Sequence, residues 1–154
     1  MAQSKTELRT KSRDVAFKLI YEREINNQCP IIIGEGTTDE GCVGIATTIT
    51  GLMEMDMSNL DMDYINTVVD GVFNNLEDID QAISEHLRGW TLKRLARVDL
   101  SIMRLAVFEM KHMPDILMAT SIDEAVELSH TYSTDKSGPL INGVLGNIGR
   151  ELKG

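Results

Sequence analysis

Apolar residues recur at helical spacing along most of the chain. Between about Lys5 and Asn26, Leu8, Val15 and Leu19 form a stripe that Ala16 and Ile20 widen, which predicts a long core-facing helix. Residues 27–41 interrupt it: Pro30 and three glycines predict a loop, and Ile31–Ile33 is too short to impose a sheet. Residues 42–57 are ambiguous and read best as a short Met-rich helix. Asn59 or Asp61 can cap the next helix, which runs through Tyr64, Val68, Val69, Val72 and Phe73. Another covers Leu76 to Leu87, with Ile79 and Ile83 inward and Gly89-Trp90 after it.

The segment 92–110, LKRLARVDLSIMRLAVFEM, is the most apolar. Leu92, Leu95, Val98, Ile102 and Leu105 mark one face, with Met103, Ala106 and Met110 beside it. A helix apolar over so much of its circumference packs on more than one side, and Pro114 marks its end. Ser121 followed by Glu124 predicts a capping box for a helix burying Ile122, Ala125, Val126 and Ser129. A polar linker, Thr134 to Gly138, leads to a last helix with Ile141, Val144, Leu145 and Ile148 inward. Ser137 can cap that helix, with Pro139 in its first turn, where a missing N–H costs little. Gly143 inside it predicts a close approach to the preceding helix, since glycine costs about 1 kcal/mol relative to alanine there. Asn142 has two readings: a structural hydrogen bond, or a contact to RNA or a partner. No strand pair or repeat is visible, so the fold class is all-α.

The 154 residues fit one domain spanning 1–154, with an atypical loop and helix region at 27–60. No apolar run is long enough to span a membrane, and the polar N-terminus does not read as a secretory signal, so a cytoplasmic protein is expected. Cys29 and Cys42 lie outside any C-x-x-C pair and far from a histidine, which predicts two free thiols and no zinc site.

The formal net charge is −9, but its distribution is uneven. Residues 1–21 carry +3, from Lys5, Arg9, Lys11, Arg13 and Lys18 against Glu7 and Asp14. Residues 24–87 hold thirteen acidic residues and no lysine or arginine. From 88 to 104 the sign reverses again: Arg88, Lys93, Arg94, Arg97 and Arg104 face only Asp99. An anionic ligand would meet the first helix, the 88–104 segment, or both.

Catalytic machinery is not legible. His86, His112 and His130 fall on three different segments, and none has a metal-binding partner at helical spacing. The acids Asp61, Asp63, Glu77, Asp78 and Asp80 lack the loop pattern of a calcium site. Glycines form no phosphate-binding fingerprint. The expectation is a binding protein, not an enzyme, without cofactor or metal. On the first helix Lys11 and Lys18 share a line flanked by Tyr21, while Arg9 and Arg13 form a second ridge. Such cations can contact phosphates and a tyrosine can stack on an unpaired base. The bland reading is an amphipathic helix with a charged rim.

Three stretches together resemble the NusB family: RDVAFKLIY at 13–21, the 92–110 segment with Arg104, Leu105, Ala106 and Glu109, and IDEAVELSHTYSTDKSGPLINGVLGNI at 122–148. The resemblance covers the first helix and nearly everything from Asp63 onward; residues 27–60 match nothing. It implies about seven helices in two small packed bundles. It further implies a transcription antitermination factor that binds boxA-type single-stranded RNA of ribosomal RNA leaders, together with ribosomal protein NusE, within the RNA polymerase antitermination complex. Carried onto this chain, Arg9, Lys11, Arg13, Lys18 and Tyr21 would contact RNA, as would Lys136, Ser137, Leu140 and Asn142 near the linker. Arg97, Asp99, Arg104 and Glu109 would serve the NusE-facing surface, the first two at the surface and the last two in support.

The chain departs from the family pattern at Leu140, where an aromatic is usual, and at Pro139, where a basic residue is common. A missing stacking ring costs about 1–3 kcal/mol per base, so weak RNA affinity without NusE is expected. The alternative is a protein-interaction module on the same fold with little RNA affinity of its own.

Overall fold

The computed structural model describes residues 5–25, 60–89 and 91–153. Its helices are α1 (Lys5–Ile25), α2 (Met62–Asn74), α3 (Leu76–Glu85), α4 (Arg97–His112), α5 (Met118–Tyr132) and α6 (Ser137–Lys153), with a 3-10 turn at Leu92–Arg94. Every described element is helical, as the periodicity predicts. The loop expected at 27–41, the Met-rich helix at 42–57, both cysteines and Trp90 lie outside the described residues.

Helix α4 is the axis of the fold. Each residue from Asp99 to Met110 is buried, and α4 packs against α1, α2, α3, α5 and α6, making one continuous core. Ile20, Ile65, Ile79, Ile83, Ile102, Leu105, Ile141 and Leu145 are among its fully buried members. Where α2 crosses α4, Gly71 lies against the Phe108 ring so closely that a Cβ would overlap it. No described helix is long and apolar enough to cross a membrane.

Local signals set several helix ends. Asp61 caps α2, its carboxylate accepting from the Tyr64 amide at 3.1 Å. The Asp61 amide in turn donates to Ser12 Oγ at 2.7 Å, tying the start of α2 to α1. Helix α4 stops at His112, just before Pro114.

Three sequence expectations fail. The helix expected from Leu92 begins at Arg97, because Leu95 and Ala96 are extended (ψ 141° and 137°). The Arg97 guanidinium donates to the carbonyls of Leu92 (2.7 Å), Lys93 (3.1 Å) and Leu95 (3.2 Å), replacing the amides that an unbroken helix would have supplied. The capping box is absent: α5 starts at Met118, and buried Ser121 donates to Glu109 Oε1 at 2.8 Å instead. Glu124 reaches α1, accepting from Thr10 at 3.1 Å. Gly143 is exposed, and a Cβ there would meet nothing within 4 Å. The close approaches of this helix fall at Gly138, where a Cβ would lie 3.3 Å from His130 Nε2 of α5, and at Gly149, 3.3 Å from Met110 Cε.

Candidate nucleic-acid interface

The charged residues of α1 divide by the direction in which the helix presents them. Lys11 and Lys18 are exposed, as the wheel predicts. Arg9 is one-third exposed, lying 4.4 Å above the Tyr64 ring and 3.6 Å from Asp61. Arg13 is buried and cannot reach RNA. Its Nε donates to Glu109 Oε2 at 2.7 Å and its Nη2 to Glu109 Oε1 at 3.1 Å, with Glu124 a further 3.5 Å contact. A guanidinium taken from water needs such a two-point partner, because an unpaired buried charge costs several kcal/mol. The Arg9–Arg13 ridge is therefore not a single surface.

Tyr21 is half-buried, its ring 6.2 Å from that of Phe17, so it is mainly a packing residue. Sequence reasoning missed the more open ring beside α1, Tyr132. It ends α5, is 37% exposed and stacks at a tilt on Phe17 with centroids 5.2 Å apart. Its hydroxyl donates to Asp14 at 2.5 Å, and Lys18 Nζ sits 5.4 Å from its centroid and 2.9 Å from Asp14. Burial opposes the Lys18 charge, but the hydrogen bonds to Asp14 and Tyr132 outweigh it and the amine pKa is raised. The sequence signal was an aromatic directly before the polar linker.

The linker is held from below by Asp99. Ser133 Oγ donates to Asp99 Oδ1 at 2.7 Å and Ser137 Oγ to Oδ2 at 2.9 Å, while the two hydroxyls lie 2.8 Å apart. Ser137 is the buried first residue of α6, so it fixes the linker and does not face RNA. Leu140 is half-buried against the core, a packing residue for the same reason of apolar burial. Lys136 and Asn142 remain exposed on either side of these anchors. Asn142 also lines an open groove between α5 and α6 with Asp123, Glu127 and His130.

Of the two residues expected to meet NusE, Asp99 is interior and Arg97 is not, while Arg104 and Glu109, expected to support that surface, are both buried. Asp99 is buried under the linker. Arg104 is buried too, its Nε and Nη2 each 2.8 Å from an oxygen of Asp80 and its Nη1 2.6 Å from Glu24. Burial alone would lower the Arg104 pKa, but Asp80 and Glu24 raise it. Glu109 is fully buried and accepts from Arg13, Ser121 and the Tyr64 hydroxyl. Arg97 alone keeps about a third of its side chain exposed, and it pairs with Glu24 at 3.0 Å. Partners distant in sequence explain why charges on the most apolar helix are tolerated: each is matched inside the protein.

Lys11, Lys18, Tyr132, Lys136 and Asn142 thus provide outward cations, one ring and one amide at the α1 surface and around a clamped linker. These groups can bind phosphates and stack on or hydrogen-bond to a base, and they provide no nucleophile with its base.

The model of the NusB family matches residues 10–150. A transcription antitermination protein NusB from Acetivibrio thermocellus is 42% identical over 140 residues, covering 91% of this chain and 87% of that protein. The solved NusB of T. maritima superposes with a TM-score of 0.75 at 28% identity, covering 98% of this chain and 94% of the other. A crystal structure of the antitermination factors NusB and NusE in complex with double-stranded RNA gives a TM-score of 0.71 at 24% identity, over 94% and 97% of the two chains.

Proposed function

The chain belongs to the NusB family, and from that premise we propose that it is a non-catalytic transcription antitermination factor. It acts in the cytoplasm, binding boxA-type single-stranded RNA together with ribosomal protein NusE as part of the RNA polymerase antitermination complex. The observation that carries the RNA reading is the group of exposed cations, Lys11, Lys18 and Lys136, with Tyr132 at the edge of a linker that Asp99 holds in place. Phosphate contacts would position the strand, and Tyr132 with Asn142 would meet its bases. Arg9 contributes at the margin. Preference for single strands follows from the ring, which can stack only on an unpaired base.

The partner surface lies outside the buried network. Arg97 stays at the surface, and the exposed acids Asp63, Asp70, Glu77 and Asp78 along α2 and α3 offer charge complementarity to a basic ribosomal protein.

A second reading, an interaction module with little RNA affinity, draws on the burial of Arg13 and Leu140, which thins the RNA face relative to the sequence expectation. Calorimetry with boxA-type RNA, with NusE and with both separates the two. The proposed function requires binding of single-stranded RNA that tightens when NusE is present, and weaker binding of the same sequence as a duplex. NusE binding with no RNA contribution would favour the second reading.

A further inference from the structure

We propose that the 3-10 turn Leu92–Arg94 forms a second phosphate-contact element, so that bound single-stranded RNA continues from the linker across the start of α4 beyond its boxA-type core. The inference rests on the RNA reading above and extends it to residues which that reading leaves unassigned. Lys93 and Arg94 are exposed, as is Arg88 in the loop just before them, and none forms an ion pair among the described residues.

The carboxylates packed around the start of α4 are engaged elsewhere, whereas Arg88 shares a surface groove with Glu85 and Glu151. Glu24 binds Arg97 and Arg104, Asp80 binds Arg104, and Asp99 binds the two linker serines. Lys93 and Arg94 therefore have no anion among these to balance them. Their placement also lacks a structural benefit, because cations near a helix start oppose the peptide dipole by about 0.3–1 kcal/mol each.

The turn is held as well as charged. Arg97 fastens two of its carbonyls and that of Leu95 while pairing with Glu24 of α1, so Lys93 and Arg94 sit on backbone fixed to the helix that carries Lys11 and Lys18. Asp99, two residues further along, fastens the linker that carries Lys136. One end of α4 thereby joins both cationic surfaces through a rigid connection. A backbone of regularly spaced phosphates is the ligand chemistry that fits cations arrayed in this way.

The test compares Lys93→Glu/Arg94→Glu with the wild-type protein on two RNAs: a boxA-type single strand alone, and the same strand extended by flanking nucleotides at both ends. Both residues are exposed, so circular dichroism and melting temperature should match the wild type. We expect near-equal affinity for the short RNA and about tenfold weaker binding of the extended one. The salt dependence of log K on the extended RNA should become shallower by about 0.7 for each phosphate that the variant no longer neutralises. Equal affinity and slope for both proteins on the extended RNA would overturn the second element and leave the RNA reading standing. Equal losses on both RNAs would likewise overturn the extension. A wild-type protein that binds neither RNA would defeat the RNA reading itself, and this inference with it.

Discussion

Arg13 of α1 and Glu109 of α4 form a buried two-point ion pair across 96 residues of sequence, with contacts of 2.7 and 3.1 Å. Glu109 is completed by Tyr64 of α2 and Ser121 of α5, so one carboxylate joins four helices. Removing the cation would leave a buried charge that its two hydroxyl partners cannot neutralise. Arg13→Ala should therefore destabilise the fold by about 3–5 kcal/mol in urea denaturation. A loss below about 1 kcal/mol would mean that water replaces the guanidinium and that the pair is dispensable.

The hydroxyl of Tyr64 gives this cluster a pH signature. Burial first, and then the charge of Glu109, push its pKa far above the ordinary value near 10. The folded protein thus retains a proton that the unfolded chain releases above about pH 10. Stability from this group is complete below that pH and falls as pH rises, by about 1.4 kcal/mol per pH unit. Tyr64→Phe should be less stable at neutral pH but decline less steeply above pH 10. Parallel alkaline denaturation profiles would refute the assignment.

Lys11→Glu with Lys18→Glu tests the outer face of α1. Lys11 is exposed and the Lys18–Asp14 pair lies at the surface, so the melting temperature should fall only slightly, while affinity for single-stranded RNA falls at least about tenfold. Retained affinity in a folded double variant would remove α1 from the interface.

The inner face of α1 was only partly legible in the sequence. Arg13 precedes Ala16, Phe17 and Ile20 by three, four and seven residues and so shares their buried stripe, but a cation there reads as a rim residue until its partner Glu109, far along the chain, is known. Ser121 and Asp99 were misread for the same reason: their partners, Glu109 and the linker serines, are set by packing. Features encoded by neighbours were legible, such as a cap at one of the two positions expected, Asp61, the end of α4 before Pro114 and the central place of that helix. The start of α4 was not, because apolar spacing continues through Leu92 and Leu95 while Arg97 takes the carbonyls that would have extended the helix. The cationic α1 surface and the linker were legible as candidate elements of the proposed interface; the ring beside them, Tyr132, emerged only when α5 packed beside α1.

Asp99 should act on RNA binding through the linker. In Asp99→Ala both serine hydroxyls lose their acceptor, each such bond contributing about 1.5–3 kcal/mol when the acceptor is charged. Amide hydrogen exchange across residues 133–137 should accelerate more than in α2, and RNA affinity should fall together with it. Asp99→Asn, which keeps one acceptor oxygen, should lie between. Unchanged exchange in the linker would show that Asp99 does not hold it.

The central claim is that this chain binds single-stranded RNA through exposed cations, with NusE strengthening the complex. Titration of the wild-type protein with boxA-type RNA over a range of salt concentrations, alone and with saturating NusE, tests it most directly. The account requires log K to fall linearly with log salt, with a slope of about −0.7 per phosphate contacted, and a tighter Kd at every salt concentration when NusE is present. Binding that is absent, or indifferent to salt and to NusE, would contradict it.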